Sequence, residues 1–147
     1  MSDAASASLS RQDAMRQLLD GIAADLQDYQ RMLDLIAQQF EAAVRHQSER
    51  LGELAQDISA LVDVLQARRA QRVELATRLT GPQPSMAQVF SLLKAEPRAR
   101  LEADWAQLES LVQVAREMGR RNAELLAEQY TIMQRVLHGD DQTYEPL

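Results

Sequence analysis

The chain has no cysteine among its 147 residues, which excludes a disulfide framework and thiolate chemistry. Aromatic residues amount to only 4%, with a single tryptophan. Histidine occurs twice, at His46 and His138, and proline four times, at Pro82, Pro84, Pro97 and Pro146. No proline therefore interrupts the first 81 residues. No apolar run approaches the roughly 20 residues needed to span a bilayer. The first eight residues, Met1 to Ser8, lack both the basic start and the apolar stretch of a secretory signal. These absences predict a soluble, cytoplasmic protein with no stable membrane insertion. Net cationic charge is also missing, since the formal charge is -6. Phosphate binding needs a concentrated cationic face, so no nucleic-acid partner is expected, although Arg68, Arg69 and Arg72 form a small local basic patch.

Charged residues make up 26% of the chain and apolar residues 46%, ordinary values for a globular domain. Leu, Ala, Gln, Glu and Arg dominate, and all lose little side-chain freedom in a helix. Residues 1–9 are small and polar and are expected to form a flexible tail. Ser10 is placed to cap a helix, with Asp13 three residues on. Ile22, Leu26, Tyr29, Leu33, Ile36 and Phe40 then alternate spacings of four and three, the 3.5-residue period of a helix facing another helix. A helix over 10–45 would be about 54 Å long. The pattern falters at 45–48, where Ser48 can cap a second helix over 49–80. Leu51, Leu54, Ile58, Leu61 and Leu65 restore it, and Arg68 and Arg72 occupy the next seam positions before Leu75 and Leu79. Those arginines suit a register role, pairing with Asp20 or Asp25 across a hairpin, or else a plain exposed face. One bent helix from 10 to 80 is the alternative topology, but it would leave a long apolar stripe bare.

Gly81, Pro82 and Pro84 form the clearest stop. Ser85 can cap a short helix over 85–94, and Pro97 suits the first turn of a last helix over 97–137. In that helix Leu101, Trp105, Leu108, Val112, Ala115, Gly119, Asn122, Leu126, Gln129, Met133 and Val136 keep strict four-three alternation. Trp105 is expected to be largely buried. Gly139 is a natural stop, leaving residues 139–147 as a flexible polar tail with Tyr144. The fold class is thus all-α: an antiparallel bundle of three long coiled-coil-like helices and one short one, occupying residues 10–138.

Catalysis has little footing. A carboxylate-bridged metal bundle needs Glu-x-x-His repeats, but Ala43 and Arg135 precede the two histidines at that spacing. No Gly-rich phosphate loop and no hydrolase or metalloprotease motif is present. Neither enzymatic activity nor a metal or cofactor is expected. The informative feature is a second stripe on the last helix, in which Leu111, Met118, Leu125 and Ile132 recur every seven residues beside the seam. A wide apolar stripe is normal in the core of a three- or four-helix bundle. It also suits a groove or face that accepts an amphipathic partner segment, with Met133 and Val136 extending it toward the tail; both hold together if the inner half is packed and the C-terminal half exposed. Gly119 and Asn122 are unlike their seam neighbours. A small residue permits close helix approach and a seam Asn fixes register, and both could instead shape a docking site.

The run from Met118 to Leu126 (MGRRNAELL), in a long last helix followed by a polar tail with Tyr144, resembles FlgN-type flagellar export chaperones. The stretch from Leu65 to Leu75 (LQARRAQRVEL) is similar to the second helix of that family, and the helix plan matches over residues 10–147. Ala123 departs from members that carry Gly after the Asn. The resemblance implies a cytoplasmic chaperone that binds hook–filament junction (hook-associated) proteins, prevents their premature association and delivers them to the export gate. With that function, client binding is expected on the stripe and its seam neighbours: Leu111, Met118, Asn122, Leu125, Ile132, Met133 and Val136. Docking to the cytoplasmic domain of the export gate falls to Tyr144, and a weak homodimer is compatible with the same surfaces. A structural coiled coil or adaptor without chaperone activity is the competing reading.

Overall fold

A computed structural model describes the backbone of residues 10–144 and the side chains of residues 10–138. The expected tail at 1–9 and residues 145–147 lie outside that range. The described chain is helical throughout, without a strand, in four helices: α1 (Arg11–Val44), α2 (Ser48–Thr80), α3 (Met86–Phe90) and α4 (Ala95–Tyr144). The three long helices pack as the coiled-coil spacing predicts. The helix α1 lies in the middle, with α2 antiparallel on one side and α4 on the other. No Cα of α2 comes within 8 Å of one in α4 among the described residues.

The hairpin, not the bent rod, is the topology of residues 10–80. The helix α1 begins where Ser10 accepts the Asp13 N–H at 3.1 Å. It ends in a Schellman turn: the Gln47 N–H donates to the Ala42 carbonyl at 2.9 Å and the His46 N–H to the Ala43 carbonyl at 3.2 Å. His46 has φ 55°, the left-handed conformation that this motif requires and that glycine adopts most cheaply. Ser48 is not the cap of α2. Gln47 occupies that position and makes no side-chain cap bond, because its backbone is committed to the preceding turn. Arg11 reaches across to the Leu79 carbonyl at 3.1 Å, tying the start of α1 to an orphan acceptor at the end of α2.

The short helix is tighter than expected. Ser85 and Gln88 form a reciprocal capping box, but α3 stops at Phe90. Residues 91–93 form a turn leading into α4, which starts at Ala95, so that Pro97 falls in its first turn. At its far end α4 runs through Gly139 to Tyr144. Glycine in a helix interior is unfavourable by only about 1 kcal/mol, and the next proline is Pro146, so nothing in the backbone chemistry enforces the stop anticipated at residue 139.

Two apolar clusters hold the bundle. The first joins all four helices through Leu18, Ile22, Leu75, Leu79, Val89 and Leu101. The second is mainly an α1–α2 contact through Met32, Leu35, Ile36, Leu54, Leu61 and Leu65, which α4 joins with Ala115. Burial of such side chains contributes on the order of 1.5–3 kcal/mol each, which makes the seam the principal source of stability.

Candidate functional site: a groove and an overhanging helix

Since α2 and α4 flank α1 with no Cα of one within 8 Å of the other among the described residues, a groove of about 920 Å³ opens between them. Its floor is α1, with Tyr29, Met32 and Ile36. Its walls are α2, with Ile58 and Val62, and α4, with Val112. At one end α3 packs on both α2 and α4. Val89, fully buried there, fills the space that the groove leaves open farther along.

A polar cluster sits toward that closed end. Asp25 is 2% exposed, a burial that an ionised carboxylate tolerates only when paired and hydrogen-bonded. Arg68 donates to Asp25 at 2.7 Å and to Asp28 at 2.8 Å, and Arg72 donates to Asp25 at 2.6 Å. Partial burial works against the charge on Arg68. The hydrogen bonds and charges of Asp25 and Asp28 outweigh it and raise the guanidinium above its ordinary pKa. The seam arginines thus pair with Asp25; Asp20 is exposed and takes no part.

The Arg72 guanidinium also lies 5.3 Å from the centre of the Trp105 ring, within cation–π range. Trp105 is half-buried: it packs against the first apolar cluster and also lines the groove. The four-three spacing places it correctly on the seam. Its exposure follows from α2 and α4 standing apart, so that part of the ring meets open space.

Asn122 is 1% exposed. Its amide donates to the Ile36 carbonyl at 2.8 Å and to Gln39 at 3.0 Å, which locks α4 to α1 in one register. Its Oδ1 is buried without a partner. Gly119 does not mediate a close approach: a Cβ added there meets nothing within 4 Å, and the residue lines the groove instead. Gln129 donates to the Ala43 carbonyl at 3.0 Å, near the end of α1.

Beyond Gln129 the helix α4 projects past the α1–α2 turn. The fifteen residues Tyr130–Tyr144 extend about 22 Å at the helical rise. Tyr130, Ile132, Met133, Val136 and Leu137 are each more than half exposed there. The seven-residue stripe is therefore divided. Leu111, Met118 and Leu125 are half-buried against the bundle, whereas Ile132, Met133 and Val136 stand in the open. None of the six lines the groove, because 3.6 residues per turn put Leu111 and Met118 on the opposite flank of α4 from Glu109 and Arg116. Asn122 lies beneath this surface rather than on it. The side chain of Tyr144 lies outside the described residues.

The groove itself was not anticipated from the sequence. Its signal was Val62 and Arg69 on α2, seven residues apart beside the seam as Leu111 and Met118 are on α4.

The sequence model of the FlgN protein family matches residues 15–139. The chain belongs to the FlgN family. That range runs from the first turns of α1 to the overhang, so it includes every helix described above. No curated protein and no solved structure matches the chain. Membership makes it a flagellar chaperone, a family whose members bind flagellar client proteins. No helix among the described residues is long and apolar enough to cross a membrane.

Proposed function

We propose that this FlgN-family protein binds hook-associated proteins in the cytoplasm, keeps them from associating prematurely and hands them to the export gate. The observation that carries the reading, beyond family membership, is the exposed apolar overhang of α4. Five large apolar side chains within eight residues form a patch of the kind that marks an interaction site. A helix presenting such a stripe can pair with an amphipathic client segment, and Met133 offers a side chain that repacks around different partners.

Client binding is assigned to the stripe of Leu111, Met118, Leu125, Ile132, Met133 and Val136. The half-buried members back the surface, the exposed ones contact the client, and Asn122 fixes the register beneath them. Gate docking is assigned to Tyr144, whose ring and hydroxyl suit an anchor in a weak interface.

The test is capture of purified hook-associated proteins and of the gate's cytoplasmic domain by the same set of variants. Leu125→Asp and Ile132→Asp are expected to abolish client capture with helicity retained. Tyr144→Ala is expected to weaken gate binding and motility while client affinity stays within about twofold. Wild-type protein that captures no hook-associated protein would leave a structural coiled coil or adaptor as the better account.

A further inference from the structure

The groove between α2 and α4 has a charge pattern opposite to that of the whole chain. Between Asp25 and Gln39 its floor is apolar, with Tyr29, Met32 and Ile36, and Ile58, Val62 and Val112 face it from the walls. Near the mouth stand Arg69 on the α2 wall and Arg116 on the α4 wall, both exposed. Neither takes part in an ion pair among the described residues; the arginine pairs in this part of the molecule belong to Arg68, Arg72 and Arg120. Of the two carboxylates lining the groove, Asp25 is occupied by Arg68 and Arg72, which leaves Glu109. In a chain of net charge -6, this apolar channel carries an unpaired cation on each side.

The length of the channel is set by its walls. The lining residues run from Ile58 to Arg72 on α2 and from Asp25 to Gln39 on α1, in each case about 21 Å of helix, or four turns. Two helices flanking a third leave the place that a fourth helix takes in a four-helix bundle.

We propose that this groove receives the apolar face of an amphipathic client helix of about four turns, with acidic residues on both flanks to meet Arg69 and Arg116. The proposal rests on the chaperone reading above and adds a second client surface, on the other flank of α4 from the heptad stripe. A helix with basic flanks meets like charge at both walls.

Trp105 is the single tryptophan and lines the groove, so its fluorescence reports occupancy in the full chain. The probes are two synthetic amphipathic peptides of about 16 residues, free of tryptophan and sharing one apolar face, with Glu on the flanks of one and Lys on the flanks of the other. The Glu peptide is expected to shift Trp105 emission and to bind about tenfold more tightly at low salt, as two favourable exposed pairs replace two like-charge contacts. Added salt should shrink the difference. Arg69→Glu combined with Arg116→Glu should reverse the preference. Gly119→Leu, whose added atoms start in open space, should fill the groove and weaken both peptides with helicity unchanged. Equal binding of the two peptides to the wild type, or an unchanged preference after charge reversal, overturns the proposal. So does a Trp105 shift that follows protein concentration alone, since a second copy would then be the occupant. Capture of hook-associated proteins separates this proposal from the one it rests on. If the wild type and the charge-reversed protein capture them equally, the groove fails as a client site while the chaperone stands. If the wild type captures none, the chaperone reading itself fails.

Discussion

At one end of the bundle Val89 is fully buried in a cluster fed by α1, α2, α3 and α4. At the other end no fourth element fills the corresponding place among the described residues, and α4 continues past the α1–α2 turn with its apolar side chains exposed. The same three helices build both ends. Their difference lies in α3, five residues long, which closes the gap between α2 and α4 at one end only. A short helix held by a capping box is thus enough to close the α2–α4 gap over one half of the three-helix layer. The half without it keeps apolar surface that has no partner among the described residues.

A large expected effect tests how the closed end is held in register. Asp25→Ala leaves Arg72 without a carboxylate and Arg68 with Asp28 alone, in a part-buried site. Breaking a buried pair on one side costs about 3–5 kcal/mol, measurable as a loss in urea midpoint without a change in slope. Replacing the set together, with Asp25→Leu, Arg68→Met and Arg72→Met, is expected to be close to neutral in stability. A small effect of Asp25→Ala alone would mean that the cluster is solvated, and that the polar seam separates the two ends less sharply than its burial indicates.

Trp105 stands between the two regions, and its substitution sharpens the boundary. A fully buried tryptophan would cost about 3–5 kcal/mol on truncation to Ala. Half-burial on the groove wall reduces the expectation for Trp105→Ala to about 2 kcal/mol by the area that remains in water. A loss at the upper end of the core range in thermal unfolding would place the ring in the closed core instead.

Two substitutions are expected to stabilise, each by about 1 kcal/mol. Gly119→Ala adds a methyl group where nothing lies within 4 Å and recovers the helix propensity that glycine forfeits. His46→Gly relieves the left-handed strain in the Schellman turn. Either change lowering the melting temperature would contradict the open groove wall or the turn geometry, respectively.

These residues also show what the sequence could and could not convey. Four-three spacing identified the seam of every long helix, since that period alone keeps side chains facing a neighbouring helix. The pairing of Arg68 and Arg72 with Asp25 was among the expectations because like positions on antiparallel helices meet. Spacing along one helix carries no information on how far apart two helices stand. For that reason the spacing places Trp105 in a closed seam, leaves Gly119 open between a close helix approach and a docking site, and does not reveal the groove between α2 and α4. Gly139 was read as a stop because glycine often ends helices. The chain continues there because no proline or capping partner intervenes. The heptad stripe divides into a packed inner half and an exposed C-terminal half, as its pattern allows, but the place of the division at Gln129 depends on where α1 ends, a fact about a different segment.

The smallest expected effect on stability bears most directly on the open end. Ile132 is 53% exposed and Leu108 is 3% exposed, although both lie on the same helix. Ile132→Asp removes no packed contact within the bundle, so it is expected to change unfolding free energy by no more than about 0.5 kcal/mol, as at surface positions generally. Leu108→Asp places a carboxylate in the closed core without a partner and is expected to unfold the protein. Amide exchange provides an independent check. Amides beyond Gln129 should exchange through local fraying, whereas those around Leu101 and Leu108 should exchange only on global unfolding. Adding a bound client should protect the overhang and leave the closed end unchanged. If Ile132→Asp destabilised the free protein by several kcal/mol, or if the overhang were already protected without a client, the exposed stripe would have a partner in solution. Sedimentation would then identify it as a second copy of the chain, and the contrast between the two ends would belong to the monomer alone.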